Sequence, residues 1–210
     1  LRVMETAARP WNARHTWDGD SRYQQHAVVT MNTHLHVKRL WGVVPVEEDG
    51  SAQFRVPPDR NLFFQALDKD FMEVQRMRTF VRFEAGEQRS CIGCHEHRTQ
   101  APPARLADAF GRPPRRLASQ PGETAPRPLY YPTDVQPIFD RHCVRCHNGQ
   151  DPEAQPDLRG ELTKLFSLSY ENVFQDALVD TIREWAGATY SMENAEAAAP
   201  YAHGSHRSKL

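Results

Sequence analysis

Several features that would assign this chain to a common protein class are missing from its 210 residues. No apolar run approaches the roughly 20 residues of a transmembrane helix, so we expect no membrane-spanning segment. The 26 basic and 27 acidic residues give a net charge of −1, without the positive excess typical of nucleic-acid binding or a polybasic membrane anchor. Apolar residues make up only 39% of the chain, below the roughly 45–50% of ordinary domains. The composition predicts a lean core that a bound apolar cofactor would complete.

Common catalytic signatures and a secretion signal are missing as well. There is no Gly-rich phosphate loop, no G-x-S-x-G elbow and no H-E-x-x-H motif. The chain begins Leu1-Arg2-Val3-Met4, with neither a signal peptide nor an initiator methionine. We therefore expect a processed chain or a piece of a longer one, whose compartment has to be inferred from its chemistry.

The four cysteines carry the strongest signal in the sequence. They occur in Cys91-Ile92-Gly93-Cys94-His95 and in Cys143-Val144-Arg145-Cys146-His147. Both segments are C-x-x-C-H, the attachment signature of a c-type haem. Two thiols add across the vinyl groups of one porphyrin, and the next histidine becomes the proximal iron ligand. The sequence therefore predicts two covalent haems, attached by Cys91, Cys94, Cys143 and Cys146, with iron ligands His95 and His147.

Other uses of the paired cysteines fit the spacing less well. A single zinc site is disfavoured because 48 residues separate Cys94 from Cys143, whereas zinc sites usually leave roughly 12–20. Redox disulfides of the thioredoxin type would lie in a βαβ pattern, and none surrounds the motifs. Because c-type haem is attached outside the cytoplasm, we expect a periplasmic or equivalent extracytoplasmic location.

The chain divides into four stretches. Residues 1–22 are polar with two tryptophans, which predicts an irregular N-terminal segment. Residues 23–97 contain short alternating runs, which predict a small β-sandwich with the first haem motif at its end. Residues 98–132 hold eight of the 16 prolines and six arginines, which predicts an extended connector. Residues 133–210 show helical spacing, which predicts a mainly α cytochrome c-like domain and an α+β chain.

The individual elements follow from the same patterns. Five strands are expected in the β region, at 26–30, 35–46, 51–56, 62–67 and 71–83, with Phe63, Phe64, Phe80 and Phe83 in the core. Thr133 and Asp134 are expected to cap a helix that delivers the second motif. Two further helices are expected at 162–168 and 170–185.

The connector has two interpretations. A solvated linker is the simpler one. The alternative is a belt over a haem, in which arginine side chains pair with haem propionates.

A family resemblance is carried by the segment from Val43 to Ala52, which reads VVPVEEDGSA, and by segments at 54–57, 64–68, 75–78 and 134–140. With the first C-x-x-C-H motif, these resemble the alpha subunit of hydrazine synthase and its relatives, over about residues 35–210. The resemblance implies a β-sandwich with one haem, followed by a cytochrome c-like domain with the other. In hydrazine synthase the first haem is catalytic and the second passes electrons. A tyrosine of the synthase pattern after the first motif has no counterpart among residues 96–99.

The second axial position of each iron has several candidates. For the second haem they are His206, His203 and Met192, and a histidine there would give a lower reduction potential than methionine. For the first haem they are His34 and His36, which share one face of an expected strand. His97 with His95 offers an alternative zinc site, which the resemblance suggests.

Three functional hypotheses remain open on the sequence alone. The leading one is a dihaem c-type module that transfers electrons within a larger chain or complex, with a redox protein or other subunits as partners. The second is a haem-dependent oxidoreductase similar to hydrazine synthase, with one open iron that acts on a small nitrogen compound or peroxide. The third is a structural or interaction subunit whose haems act as a wire.

The haem stoichiometry is directly measurable. We expect the chain, made in a host that matures c-type cytochromes, to carry two haems that survive denaturation, because thioether bonds are covalent. Intact mass spectrometry of the denatured protein checks this, and a mass without added haem would contradict it.

Overall fold

The computed structural model describes residues 1–7, 37–77, 79–93, 105–164, 166–176, 178–179, 199–201 and 206–210. These residues fall into two compact units. The first, the sheet unit, contains Leu1–Thr6, Arg39–Arg127 and the described part of Ile182–His206. The second, the helical unit, contains the described parts of Ala7–Lys38, Pro128–Thr181 and Arg207–Leu210.

The strands of the described residues form one five-stranded sheet. Its strands are β1 (Arg2–Thr6), β2 (Lys38–Val43), β3 (Leu62–Leu67), β4 (Glu73–Arg76) and β5 (Arg127–Pro128), in the order β4-β3-β1-β2-β5. β1 pairs antiparallel with β3, with Val3 opposite Phe64. β3 pairs antiparallel with β4, and a register shift falls between Ala66 and Leu67.

The centre of the sheet is β1, so the expectation of an irregular segment is wrong for residues 2–6. Val3, Met4 and Glu5 are buried one after another, because a central strand covered on both faces loses the alternating pattern. The buried Glu5 carboxylate accepts a hydrogen bond from Trp41 Nε1 of β2 at 2.9 Å. The rest of the expected segment, residues 8–22, lies outside the described residues.

The expected β character is confirmed, but the described residues form one sheet and show no second sheet packed on it. Strands at 35–46 and 62–67 correspond to β2 and β3. The expected strand at 51–56 is wrong, since only Phe54 forms a bridge there. The expected strand at 71–83 shortens to β4 and a single bridge at Val81. The strand expected at 26–30 lies outside the described residues.

A small apolar core packs against the sheet. Met4, Leu40 and Phe63 form its buried cluster, and Met77 packs against them. Phe63 is therefore confirmed as core. The prediction that Phe80 belongs to the core is wrong, because this residue is 52% exposed.

The described part of the connector is residues 105–132, of which 105–127 fall in the sheet unit and 128–132 in the helical unit. Residues 105–127 bond to other residues of the sheet unit. Val43 and Ala118 exchange two backbone hydrogen bonds of 2.8 and 2.9 Å. Gly42 at φ +145° permits this contact, because a Cβ there would lie 2.4 Å from the Ala118 carbonyl oxygen. Glu47 forms ion pairs with Arg115 at 2.7 Å and Arg112 at 3.3 Å. These residues are therefore tied to the sheet unit by backbone and side-chain bonds.

Asp49 forms a second attachment for the connector. Its Oδ1 accepts hydrogen bonds from the Ser51 hydroxyl at 2.6 Å and the Ser51 N–H at 2.9 Å. Its Oδ2 accepts one from the Asp108 N–H at 3.0 Å. These hydrogen bonds, led by the Ser51 hydroxyl, lower the pKa of Asp49 to about 2, because they favour the charged carboxylate.

Three short helices build the helical unit: α1 (Tyr131–Asp134), α2 (Gln136–His142) and α3 (Leu168–Gln175). The expected helix before the second motif is confirmed, although it begins earlier than Thr133. Asp134 Oδ2 instead accepts a hydrogen bond from the Tyr130 N–H at 2.6 Å, at the start of α1. The helix expected at 162–168 is wrong: Leu162 bridges Ser167 in an antiparallel turn. The helix expected at 170–185 is confirmed for residues 170–175, which lie in α3, while residues 177 and 180–185 lie outside the described residues.

The Asp49 attachment can be tested through its charge. Asp49→Asn should loosen the connector, because an amide cannot accept on both sides as the carboxylate does. Tryptic cleavage after Arg105 and Arg116 should accelerate. Glu48→Gln, which removes the same charge from an exposed neighbour, should leave cleavage unchanged.

The pH dependence has a definite sign. Because the folded-state pKa of Asp49 is about 2 and its ordinary value is 3.8, the stabilisation is complete above about pH 4. It is lost as the pH falls towards 2. The protection factor of the Asp108 amide, which is the intrinsic exchange rate of an unprotected amide at the same pH divided by the measured rate, should therefore fall in that window. A protection factor that already falls near neutral pH would contradict the assignment.

Candidate functional site

The second C-x-x-C-H motif continues the last turn of α2. The Cys143 N–H donates to the Phe139 carbonyl at 2.8 Å, and the His147 N–H donates to the Cys143 carbonyl at 2.9 Å. Both bonds have the i to i−4 spacing of a helix. Cys143 is half-buried, Cys146 is exposed, and neither is in a disulfide. The two thiols and the histidine therefore sit on one turn, with both sulfurs available for bond formation.

The His147 ring is held by the loop that follows it. Nδ1 lies 3.1 Å from the Pro156 carbonyl oxygen. Because a carbonyl only accepts, this contact assigns the proton to Nδ1 and leaves Nε2 as the ring nitrogen with a lone pair. Metal-ligating histidines are typically fixed in this way by a backbone carbonyl. A backbone bond of 2.9 Å from the Leu158 N–H to the His147 carbonyl closes the same loop.

The loop itself is anchored from two helices. Gln136 of α2 donates through Nε2 to the Leu158 carbonyl at 3.0 Å. Asn172 of α3 donates through Nδ2 to the Asp157 carbonyl at 2.8 Å. Three consecutive carbonyls, from Pro156 to Leu158, are thus each bonded to a named side chain. Their directions are consequently fixed relative to the motif.

An ion pair between Asp157 and Arg159 lies within this loop. Asp157 accepts from Arg159 Nη2 at 2.6 Å and from Arg159 Nε at 3.0 Å. The Arg159 bonds lower the pKa of Asp157 and the pKa of Arg159 is raised in return. Gly149, at φ +75°, passes so close that a Cβ would lie 2.4 Å from Asp157 Oδ2. A glycine is therefore required here for both conformation and space.

The motif also rests on apolar side chains. Phe139, Leu158 and Val173 form a buried cluster, with Cys143 and Val144 packed against it. Other large apolar side chains of the same unit remain exposed: Ile138 at 56%, Tyr130 at 59% and Leu162 at 87%. The unit therefore has apolar surface that its own described residues do not cover.

The first motif is described only in part. Cys91 is exposed and in no disulfide, Ile92 is 60% exposed, and Gly93 takes φ +77°. Cys94 and His95 lie outside the described residues, and so does His97. The attachment role of this motif stays a prediction.

Of the expected distal ligands, only His206 lies within the described residues. Its ring packs edge-on against Tyr201, with 4.3 Å between ring centroids. The Tyr201 hydroxyl donates to Asp68 at 3.4 Å. Burial alone would raise the pKa of Asp68, but hydrogen bonds from the Met72 and Asp70 amides lower it overall. The ligand role of His206 stays a prediction, as do those of His34, His36, Met192 and His203, which lie outside the described residues.

Metal clusters built purely from side chains are not seen here. Within the described ranges, no three His, Cys, Asp or Glu side chains converge as a metal site would require. The zinc alternative at His95 and His97 falls outside those ranges.

The second motif fits covalent haem. Its thiols are unpaired, its histidine presents Nε2 with the tautomer fixed, and apolar surface lies exposed in the same unit. A porphyrin supplies four iron ligands of its own, so one histidine on the protein side suffices for the proximal position.

Sequence reasoning missed the residues behind the histidine. Gln136 falls within the DVQPIFD segment, but nothing in a helical pattern marks its amide as the partner of a loop carbonyl. Asn172 sits inside an expected helix and gave no signal.

Comparison with known families gives one match. Residues 1–96 match the family model described as the hydrazine synthase alpha subunit middle domain. The matched range contains β1 to β4 and the whole first C-x-x-C-H motif. No curated protein and no solved structure matches the chain. The expected resemblance is thus confirmed for its first part and reaches further towards Leu1, while for residues 97–210 it stays a prediction.

Membrane insertion through a helix was searched separately. Within the described part of the chain, no helix has the length and apolar character needed to cross a bilayer.

The close approach of Gly149 to Asp157 gives a test of the loop. Gly149→Ala should lower the free energy of unfolding by more than the roughly 1–2 kcal/mol of a left-handed backbone, because the new methyl displaces the Asp157 carboxylate. Gly122→Ala is the matched control, since Gly122 has φ +88° with no atom within 4 Å of the added Cβ. Equal losses in urea unfolding of both variants would contradict the clash.

Proposed function

We propose, because residues 1–96 match the model of the hydrazine synthase alpha subunit middle domain, that this chain is a dihaem c-type module for electron transfer in a larger chain or complex related to hydrazine synthase. The sheet unit carries the first haem motif. The helical unit carries the second, in a cytochrome c-like domain.

One observation carries the proposal beyond the motifs themselves. The His147 ring donates from Nδ1 to the Pro156 carbonyl, so that Nε2 is the nitrogen left to bind iron. A histidine with a purely structural role on the surface has no need of a fixed tautomer. Here the ring is bonded to the loop and follows the end of the helix, on the same turn as the two cysteines.

The residues of the chain have separate tasks in this proposal. Cys143 and Cys146 would form the thioether bonds, which would prevent loss of the group. His147 would bind the iron through Nε2, and the Pro156 carbonyl orients its ring and raises its basicity. A haem bound there supplies a one-electron couple. Phe139, Leu158 and Val173 give the motif a rigid apolar base, which limits reorganisation when the charge changes.

The proposal includes compartment and partners. Haem attachment of this type occurs in the periplasm or an equivalent compartment, where we place the chain. Redox proteins or further subunits of a hydrazine-synthase-like complex are the proposed partners. The net charge of −1 favours docking through packing and local patches over long-range steering.

A second candidate function is favoured by where the family match lies. It includes all of Cys91 to His95, the motif that belongs to a catalytic haem in hydrazine synthase. In this alternative the first haem is an open centre for a small nitrogen compound or peroxide, and the second is its electron port. The absence of a tyrosine from residues 96–99 argues against transfer of the synthase reaction itself. A wire-like structural subunit is the remaining alternative.

An optical titration decides between these candidates. Spectra are taken of the oxidised protein, after dithionite reduction, and after addition of carbon monoxide. The electron-transfer function predicts two low-spin haems whose reduced spectrum ignores carbon monoxide, because firmly held axial ligands exclude it.

The opposite result would move the enzyme to first place. A high-spin component that shifts with carbon monoxide means an open iron. The Cys91→Ser, Cys94→Ser double variant then identifies it: loss of the shifting component assigns it to the first haem. A wild-type chain without any haem would overturn both functions.

A further inference from the structure

Two side chains remote from the motif converge on the carbonyls behind His147. Pro156, Asp157 and Leu158 offer three consecutive carbonyl oxygens, and these accept from His147, Asn172 and Gln136 in turn. The donors come from the motif, from α3 and from α2. A loop peptide can rotate only if its neighbours rotate too. The bonds from Asn172 to the Asp157 carbonyl and from Gln136 to the Leu158 carbonyl therefore restrict the direction of the Pro156 carbonyl.

We infer that Gln136 and Asn172 are positioning residues that set the reduction potential of the haem at His147, by fixing the Pro156 carbonyl that accepts its ring proton. This inference rests on the proposed haem function. It adds to that function a means of tuning, located in side chains that touch neither thiol nor the ring.

Burial and bonding set Gln136 apart from a general helix residue. It is 8% exposed, and its amide nitrogen also donates to Asp140 at 2.8 Å. Its amide oxygen accepts from the Ser169 hydroxyl, and Ser169 is fully buried. Both amide N–H groups and the amide oxygen are therefore hydrogen-bonded, which restricts the orientation of the side chain.

The space around this amide is closed as well. A Cβ added at Gly160 would lie 2.9 Å from the Gln136 side chain. The Tyr131 hydroxyl reaches Ser169 at 3.3 Å, which extends the hydrogen-bonded chain to α1. Gln136 is thus held on every side, and its bond to the Leu158 carbonyl transmits that rigidity to the loop.

The direction of the effect follows from the histidine. Donation from Nδ1 to a carbonyl increases electron density at Nε2, and a more basic ligand favours ferric over ferrous iron. A loop released from Gln136 or Asn172 weakens this donation. The ferric state then loses stabilisation and the reduction potential rises.

The test uses the full chain with Cys91→Ser and Cys94→Ser, so that only the second haem is present. Gln136→Leu and Asn172→Ala should each raise its potential, and the double variant should reach about a tenfold shift in the ferric-to-ferrous preference, which is about 59 mV for one electron. Both substitutions remove a neutral donor and add no charge. Exchange of the His147 Nδ1 proton, followed by NMR, should accelerate in parallel.

Leu178→Ala is the matched control. Leu178 follows α3 and packs against the apolar cluster of the helical unit, so its truncation loosens the same core without removing a hydrogen bond to a loop carbonyl. It should lower thermal stability and leave potential and proton exchange unchanged. A potential that rises equally in Leu178→Ala, or that stays constant in Gln136→Leu and Asn172→Ala, overturns the inference.

A failure of the proposed function can be distinguished from a failure of this inference in the protein that carries only Cys91→Ser and Cys94→Ser. Absence of haem on Cys143 and Cys146 by mass spectrometry overturns that function and this inference together. Haem present with an unmoved potential overturns the inference alone.

Discussion

The hydrogen bond between the His147 ring and the Pro156 carbonyl is the constraint on which the proposed function of the helical unit depends. It joins the end of α2 to a loop that has no regular structure of its own. Everything around it keeps that loop in place: the amides of Gln136 and Asn172, the Asp157–Arg159 pair and the Leu158 side chain in the core. A loop without a ladder of backbone bonds is fixed here by side chains from both helices.

In the sheet unit, short segments are held mainly by backbone hydrogen bonds instead of by side chains. β1 is short, but its central position gives Val3, Met4 and Glu5 neighbours on both sides. The connector then adds single bridges at Ala118 and Arg115. Two arginines of the connector, Arg112 and Arg115, are paired with Glu47. Residues 105–127 of the connector thus belong to the sheet unit by their contacts, while the belt over a haem stays a prediction.

The sequence was informative wherever chemistry or strong periodicity dictated the outcome. The alternating Leu62–Leu67 segment is β3, and the apolar spacing before Cys143 is α2. Predictions from the sequence were wrong where tertiary contacts determine the local structure. Residues 2–6 have no alternation because both faces are covered, and residues 51–56 alternate but pair with a Pro-rich segment rather than with a strand. Gln136 and Asn172 escaped notice because an amide that bonds to a distant carbonyl leaves no local pattern.

The edges of the sheet have a consequence for the protein at high concentration. An exposed strand edge invites pairing with another chain and so promotes aggregation. Here β4 has four residues, and its Val74 carbonyl already accepts from the Tyr201 N–H at 3.0 Å. At the other side β5 has two residues and ends in Pro128, while the Ala118 bridge occupies Val43. Both edges of the sheet are therefore poor templates for pairing with a strand of another chain. Several copies can lie close together in an assembly without edge-to-edge pairing of their sheets.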